Sequence, residues 1–416
     1  MIDLAWSSLR ARALAVTLVV ISLTCALVML LSLERIQSAT KNGFDQSISG
    51  VDLIIGPRSG GIELVLYTVF HLGRPTNNIT MQTVDDLATH EAIDWLVPIA
   101  LGDSHRSFRV IATIPEYFDR IRVRQNDALN FAQGRRFKGL NEVVVGTTVA
   151  DQLDYQIGDS IFLTHGSGEA LGKVHDDFAF TITGILEPTG TPNDQAVFVD
   201  LKGYELIHLG WQSGTRAFGI ANLDLNNIPP DALKPKTVTA AFVGLKSKLA
   251  LFPFVRSVNE YPEEAVSAII PGIALSELWS IVGMVDRVFT FLSWLIIAIS
   301  LITMVTMTIS SLDARTREMT ILRAIGAAPR EIASLVLMEA ALIGLAAIVC
   351  AILIVSGSTF LAQDILAQRL GIAPDIALIT VDEIKIFAMI FAAGLASSLL
   401  PAIMVYRRSM QQGFSQ

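Results

Sequence analysis

Cysteine is nearly absent: the chain has two in 416 residues, Cys25 and Cys350. Both fall inside uncharged apolar runs, which leaves the long segment between the first two runs with none and excludes a disulfide scaffold there. That segment, residues 34–287, must be stabilised by a buried core, and about 250 residues are enough to build one or two. Charge is missing from four runs, 13–33, 288–312, 340–363 and 386–406. Each has about 20 or more residues, enough to cross roughly 30 Å of hydrocarbon at 1.5 Å per residue. Only Glu339, beside the third run, places an ionisable group at any depth, whereas an ion relay needs several. No internal repeat links the first pair of runs to the second, which tells against an inverted-repeat secondary transporter.

Catalytic signatures are missing too. There is no nucleophile elbow and no His-Glu-x-x-His pair. The segment His165 to His175, HGSGEALGKVH, is the nearest approach to a phosphate loop, and it fails at both ends: Ser167 stands where the first Gly belongs, and Val174 follows Lys173. A Gly-rich hairpin loop is the simplest reading. All six histidines (His71, His90, His105, His165, His175 and His208) lie in 34–287, so His165 and His175 stand as weak metal-ligand candidates, although their spacing matches no standard zinc pattern.

What is present is apolar surface: 52% of residues are hydrophobic, 17% are charged, and mean hydropathy is +0.52. Such a balance belongs to a membrane protein. Arg10 and Arg12 precede the first run; Arg315, Arg317, Arg323 and Arg330 fill the connection between the second and third; Arg407 and Arg408 follow the fourth. By the positive-inside rule both termini and the arginine-rich loop are expected in the cytoplasm, with 34–287 outside.

The chain therefore divides into a cytoplasmic interfacial helix (1–12), a first span (13–33), a periplasmic domain with stalk helices at both ends (34–287) and a second span (288–312). A coupling loop (313–331), a third span (332–363), a short periplasmic loop (364–385), a fourth span (386–406) and a cytoplasmic tail (407–416) follow. Within the outer domain, 51–55, 108–114, 142–145, 160–164, 178–186, 196–199 and 238–243 read as strands. Residues 83–90, capped at Thr83, and 147–153 read as helices. Residues 260–287 read as a helical extension broken at Pro271 and Gly272. The apolar stretch from Leu64 to Phe70 is either core or a cargo-facing surface, and Gly56, Gly60 and Gly61 mark close packing or a bend.

The most informative stretch is DARTREMTILRAIGAAPREIASLVLMEA, residues 313–340. A short helix ending at Gly326, with Pro329 opening the next, would present an apolar edge flanked by charges to a groove on a soluble partner. REMTILRAIGAAPREI resembles the signature of FtsX-like ABC permeases, the group that includes MacB-type exporters and lipoprotein-releasing permeases. NEVVVGTTVADQLDYQIGDSIFLT and FTITGILEPTGTPNDQAVFVD are similar to that family's periplasmic core domain, and LAWSSLRARAL and PAIMVYRRS to its membrane entry and exit.

The resemblance implies a type VII ABC permease: four transmembrane helices, a large extracytoplasmic α+β domain inserted between helices 1 and 2 on a helical stalk, and no catalysis in this chain. It implies a location in the bacterial inner membrane and a cytoplasmic ABC ATPase partner in two copies, which supplies the ATP and Mg site. A second permease copy, identical or related, is implied as well. Arg315, Arg317, Glu318, Ile321, Leu322, Arg323, Gly326 and Ala327 would form the ATPase-contacting element. Only about a dozen residues precede the first span, so the ATPase is expected as a separate chain. A periplasmic protein or lipoprotein and membrane lipid are further expected partners; nucleic acid is not. Three functions stay open: moving or releasing a lipoprotein, peptide or other amphiphile; activating a periplasmic enzyme such as a cell-wall hydrolase; or handling a metal such as zinc.

Overall fold

The structure is a computed structural model and describes residues 7, 9–10, 12–47, 49–123, 127–165, 178–208, 233–314, 327–370 and 379–413. The chain forms two compact units: Met1–Ser38, Val282–Gln363 and Pro374–Gln416 in one, Ala39–Ile281 and Asp364–Ala373 in the other.

The second unit is built on an eleven-stranded sheet. Its strands are β1 (Leu53–Pro57), β2 (Ile93–His105), β3 (Phe108–Thr113), β4 (Phe131–Gly134), β5 (Glu142–Val145), β6 (Ser160–Ile161), β7 (Thr164–His165), β8 (Phe180–Leu186), β9 (Ala196–Asp200), β10 (Ala240–Leu245) and β11 (Val266–Ile269). The order is β11-β1-β10-β2-β3-β9-β5-β8-β4, with β7 on β2 and β6 on β8. The sheet is mixed: β9 runs parallel to β3 and β8 to β5, while the other pairs are antiparallel.

Both faces of this sheet are covered, which explains why strands such as β1, β5 and β9 read as near-continuous apolar runs. Leu53, Ile55, Val143, Val145, Val197 and Val199 enter one core, and Ile54, Val144 and Phe198 enter the other. Helices α3 (Met81–Ala88), α4 (Thr147–Leu153), α5 (Leu201–His208) and α6 (Leu251–Asn259) supply Val84, Val149, Leu201 and Phe254 to the first core. Helix α2 (Gly61–Thr68) and the single turn Tyr117–Arg120 supply Leu64, Tyr67 and Phe118 to the second. The stretch from Leu64 to Phe70 is thus core, and Gly56 is where Leu64 closes on the backbone.

Two expectations for this unit are corrected. Residues 266–269 form strand β11 on the edge of the sheet, and Pro271 opens a helix instead of breaking one, as its missing N–H and fixed φ allow at a first position. The cap of α3 is Thr80 and not Thr83: the Thr83 N–H donates to Thr80 Oγ1 at 3.3 Å.

The first unit holds four helices long and apolar enough to cross a membrane. These are α1 (Ala13–Ser47), α7 (Pro271–Ala314), α8 (Pro329–Leu370) and α9 (Val381–Gly413). At 1.5 Å per residue α7 is about 66 Å long, twice the roughly 30 Å of a hydrocarbon core.

Candidate functional site

Of the residues expected to contact an ATPase, Arg315, Arg317, Glu318, Ile321, Leu322, Arg323 and Gly326 lie outside the described residues, and only Ala327 is within them. Just after it, the Ala328 N–H donates to the Glu331 carboxylate at 2.8 Å, and Ala328 O accepts from the N–H of Glu331 and of Ile332. The loop therefore returns into α8 through a capped start with Pro329 in the first turn. Ile332 and Val336 pack there against Ala402 of α9.

Helix α1 is the centre of the membrane unit. Its buried stripe, Val19, Leu23, Ala26, Leu27 and Leu31, follows helical spacing and meets Ile297 and Met304 of α7, Ala347 and Ala351 of α8, and Ile390 of α9. On α8 the small residues Ala340, Gly344, Ala347 and Ala351 fall at steps of four, three and four along one side of the helix, and a β-carbon on Gly344 would meet the Phe391 ring of α9 at 3.5 Å. Thr24 Oγ1 donates to the Ala347 carbonyl at 3.4 Å, and the hydroxyls of Ser22 and Ser300 are 2.6 Å apart.

Two buried ion pairs bracket this helix. Arg12 Nη2 donates to Glu339 Oε2 of α8 at 2.7 Å. Arg35 donates from Nε to Glu383 Oε1 at 2.6 Å and from Nη2 to Oε2 at 3.0 Å, a bidentate pair with α9. Glu383 also closes a capping box: Thr380 N–H donates to its carboxylate at 2.9 Å, and its own N–H donates to Thr380 Oγ1 at 3.3 Å. The two arginines are about 35 Å apart along the helix, close to the hydrocarbon thickness. The sequence singles out Glu339 alone; Glu383 is missed, although the Thr-x-x-Glu pattern at 380–383 announces a helix start that could have drawn attention to it.

In the outer unit the histidines occupy separate settings. His165 pairs by backbone with Asp103 across β7 and β2, and His175 lies outside the described residues. His105 bridges Phe162 O at 2.7 Å and Tyr155 Oη at 2.8 Å, and burial holds its imidazole below the usual pKa. His208, at the end of α5, has Nδ1 2.7 Å from Tyr204 O and Nε2 3.6 Å from the carboxylate of Asp103, which is 1% exposed. Burial alone would lower His208; the Asp103 carboxylate outweighs it and raises the imidazole above its usual value. Burial and the same carboxylate raise the Tyr204 phenol. Among the described residues no three His, Cys, Asp or Glu side chains converge as a metal site would require.

Two family models match the chain: the MacB-like periplasmic core domain over residues 13–227 and the FtsX-like permease C-terminal over residues 290–410. Among solved structures, the periplasmic region of MacB from Actinobacillus actinomycetemcomitans is 11% identical, with a TM-score of 0.34 over 55% of this chain and 94% of that one. The extracellular domain of the noncanonic ABC-type transporter YknZ from Gram-positive bacteria is 12% identical, with a TM-score of 0.30 over 53% of this chain and 98% of that one. No curated protein matches. The first model spans just over half of the chain and the second runs through its last three apolar helices, so the chain belongs to the MacB/FtsX-type family of ABC-transporter permeases.

Proposed function

We propose that this permease subunit works as a lever. A separate cytoplasmic ATPase, in two copies, grips the loop around Arg323, and its nucleotide-driven movement is passed to the periplasmic domain to move or release a lipoprotein, peptide or other amphiphile. Two permease copies pair in the inner membrane, with both termini of each in the cytoplasm. The observation that carries this reading is helix α7. One uninterrupted helix contributes Ala274 and Leu275 to the core of the outer unit and Ile297 and Met304 to the core of the membrane unit.

The test is to break that helix and leave its two cores intact. Met284 is largely exposed on α7, and proline within a helix removes a hydrogen bond and kinks the rod at a cost of about 3 kcal/mol. In a reconstituted complex with its ATPase, Met284→Pro is expected to preserve ATP turnover while release of a periplasmic amphiphile is lost. Release at the wild-type rate would overturn the lever. If the complex instead activates a bound periplasmic hydrolase and releases nothing, the cargo reading gives way to a regulatory one. Arg323→Glu is expected to leave the chain in the membrane and weaken ATPase association about tenfold or more, since it places like charge at a charged contact. Unchanged co-purification would remove Arg323 from the docking element.

A further inference from the structure

We propose that the turn from Lys246 to Phe252 of the outer unit rests on an anionic lipid surface, with Leu249 and Phe252 at the boundary between headgroups and acyl chains and Lys246 and Lys248 against lipid phosphates. Leu249 is 90% exposed and Phe252 70%. They are carried by the short helical turn Lys248–Ala250 and the start of α6, with Pro253 exposed beside them. Large apolar side chains gathered on one exposed turn of a folded domain mark a contact surface. The charge within the segment has one sign: Lys246, Lys248 and Arg256 fall between Leu245 and Asn259, and no Asp or Glu does. Arg256 pairs with Glu260, whereas among the described residues Lys248 makes no ion pair. Lys246 spends one of its three donors on Glu91, and meets its carbonyl, at 3.0 Å, and not its carboxylate. Leu and Phe beside Lys is the composition of segments that lie in a bilayer interface, where apolar side chains enter and amines meet anionic headgroups.

The place of the turn in the fold favours lipid over a protein partner. Strand β10 runs antiparallel to β1, with Val243 opposite Leu53, and β1 runs antiparallel to β11, with Ile54 opposite Ile269. The turn therefore begins at the end of the sheet where β1 enters and β11 leaves. Helix α1 stops at Ser47, ahead of β1, and α7 starts at Pro271, just after β11. Both connections to the apolar helices on either side of the outer unit are thus made at the end that carries Leu249. The turn cannot retract its apolar side chains, because its inner side is already filled. The Lys246 N–H donates to Ala92 O at 3.0 Å and the Leu249 N–H to Ser247 Oγ at 3.3 Å. Phe254 and Val258 enter the first core from the same helix, with the Phe254 ring 4.8 Å from that of His90.

This contact needs no ATPase, so the full chain in lipid nanodiscs tests it. Cys25 and Cys350 are the only cysteines, and with both changed to serine Leu249→Cys supplies a single thiol for a nitroxide label. In discs of equal parts phosphatidylcholine and phosphatidylglycerol, power saturation is expected to find this label more accessible to oxygen, which concentrates in lipid, than to a water-soluble nickel chelate. A label at Gln152→Cys, exposed on α4, should show the reverse. Lys246→Glu together with Lys248→Glu is expected to abolish the oxygen preference at Leu249→Cys and leave the unfolding midpoint unchanged, and discs of phosphatidylcholine alone should abolish it as well. A label that favours the nickel chelate in the anionic discs would overturn the proposal. So would a label shielded from both reagents, which would put a second copy of the chain on the turn, or an oxygen preference that charge reversal leaves intact.

Discussion

At the scale of single residues, the ion pairs differ in what surrounds them, and that decides their weight. Arg136 and Asp119 form a pair on the surface, where water and salt reduce such contacts to about 0–1 kcal/mol. Arg35 and Glu383 are 12% and 2% exposed, and removing one partner leaves the other charge stranded, a loss of about 3–5 kcal/mol. Arg35→Ala is therefore expected to lower the unfolding midpoint of the purified chain far more than Arg136→Ala does; equal shifts would mean that Glu383 finds water or another partner. His208 gives a pH prediction of definite sign. Its folded-state pKa is raised above 6.5, so its contribution is complete below that value and is lost as pH rises through the folded value. His71 and His105 act oppositely, because their depressed values make the fold lose stability as pH falls below 6.5. Midpoints measured from about pH 5 to 9 in wild type and His208→Gln should differ most at the acid end and converge at the alkaline end. A constant difference would show that Asp103 does not stabilise the imidazolium.

At the scale of elements, close approach sets the constraints. Gly146 precedes α4 with an ordinary φ of −67°, so its backbone conformation does not demand glycine. A β-carbon there would lie 2.3 Å from Asp194 O and 2.4 Å from Asn193 O. That backbone is held in turn by Asp194, whose carboxylate accepts from the N–H groups of Thr189 and Gly190 and from Thr189 Oγ1. Gly146→Ala must therefore move a braced loop, and about 1–3 kcal/mol of destabilisation is expected in denaturant unfolding. Thr80 joins two elements: it caps α3, and its N–H and hydroxyl both donate to Glu264, ahead of β11. Thr80→Ala should cost about 1 kcal/mol by the same measurement. Strands β3, β5, β8 and β9 are legible in the sequence because β-branched and aromatic residues dominate each run between turn residues. Strand β2 is not, because Pro98 and Gly102 interrupt its thirteen residues. Proline speaks against a central strand, yet Pro98 sits opposite Ala241 of β10, and its carbonyl accepts from Thr113 Oγ1. Strand β11 is hidden differently: four residues between a turn and a long apolar helix have no periodicity of their own.

At the scale of the whole molecule, the sequence already separates a membrane part from a cysteine-free outer part, since lipid demands long uncharged runs and a folded domain does not. What stays illegible is the pairing of charges distant in sequence: Arg12 with Glu339 and Arg35 with Glu383 are separated by more than 300 positions, and local pattern carries no sign of them. Those pairs define how α1 is held. One ties its start to α8 and the other ties it to α9 about 35 Å further along, so the apolar part of the helix, Ala13–Ala39, is restrained near both ends by different neighbours. If the restraints are independent, as sites so far apart with no shared partner should be, the stability losses from Arg12→Ala and Arg35→Ala will add in the double variant to within about 0.5 kcal/mol. If α1 instead slides as a rod once either end is freed, the second substitution will cost much less than it does alone. Chemical unfolding of the four chains, wild type, both singles and the double, in one detergent separates the outcomes. Additivity is expected, because the buried stripe Val19, Leu23, Ala26, Leu27 and Leu31, in one apolar cluster with Ala347 and Ala351 of α8, continues to hold the middle of the helix when one end is released.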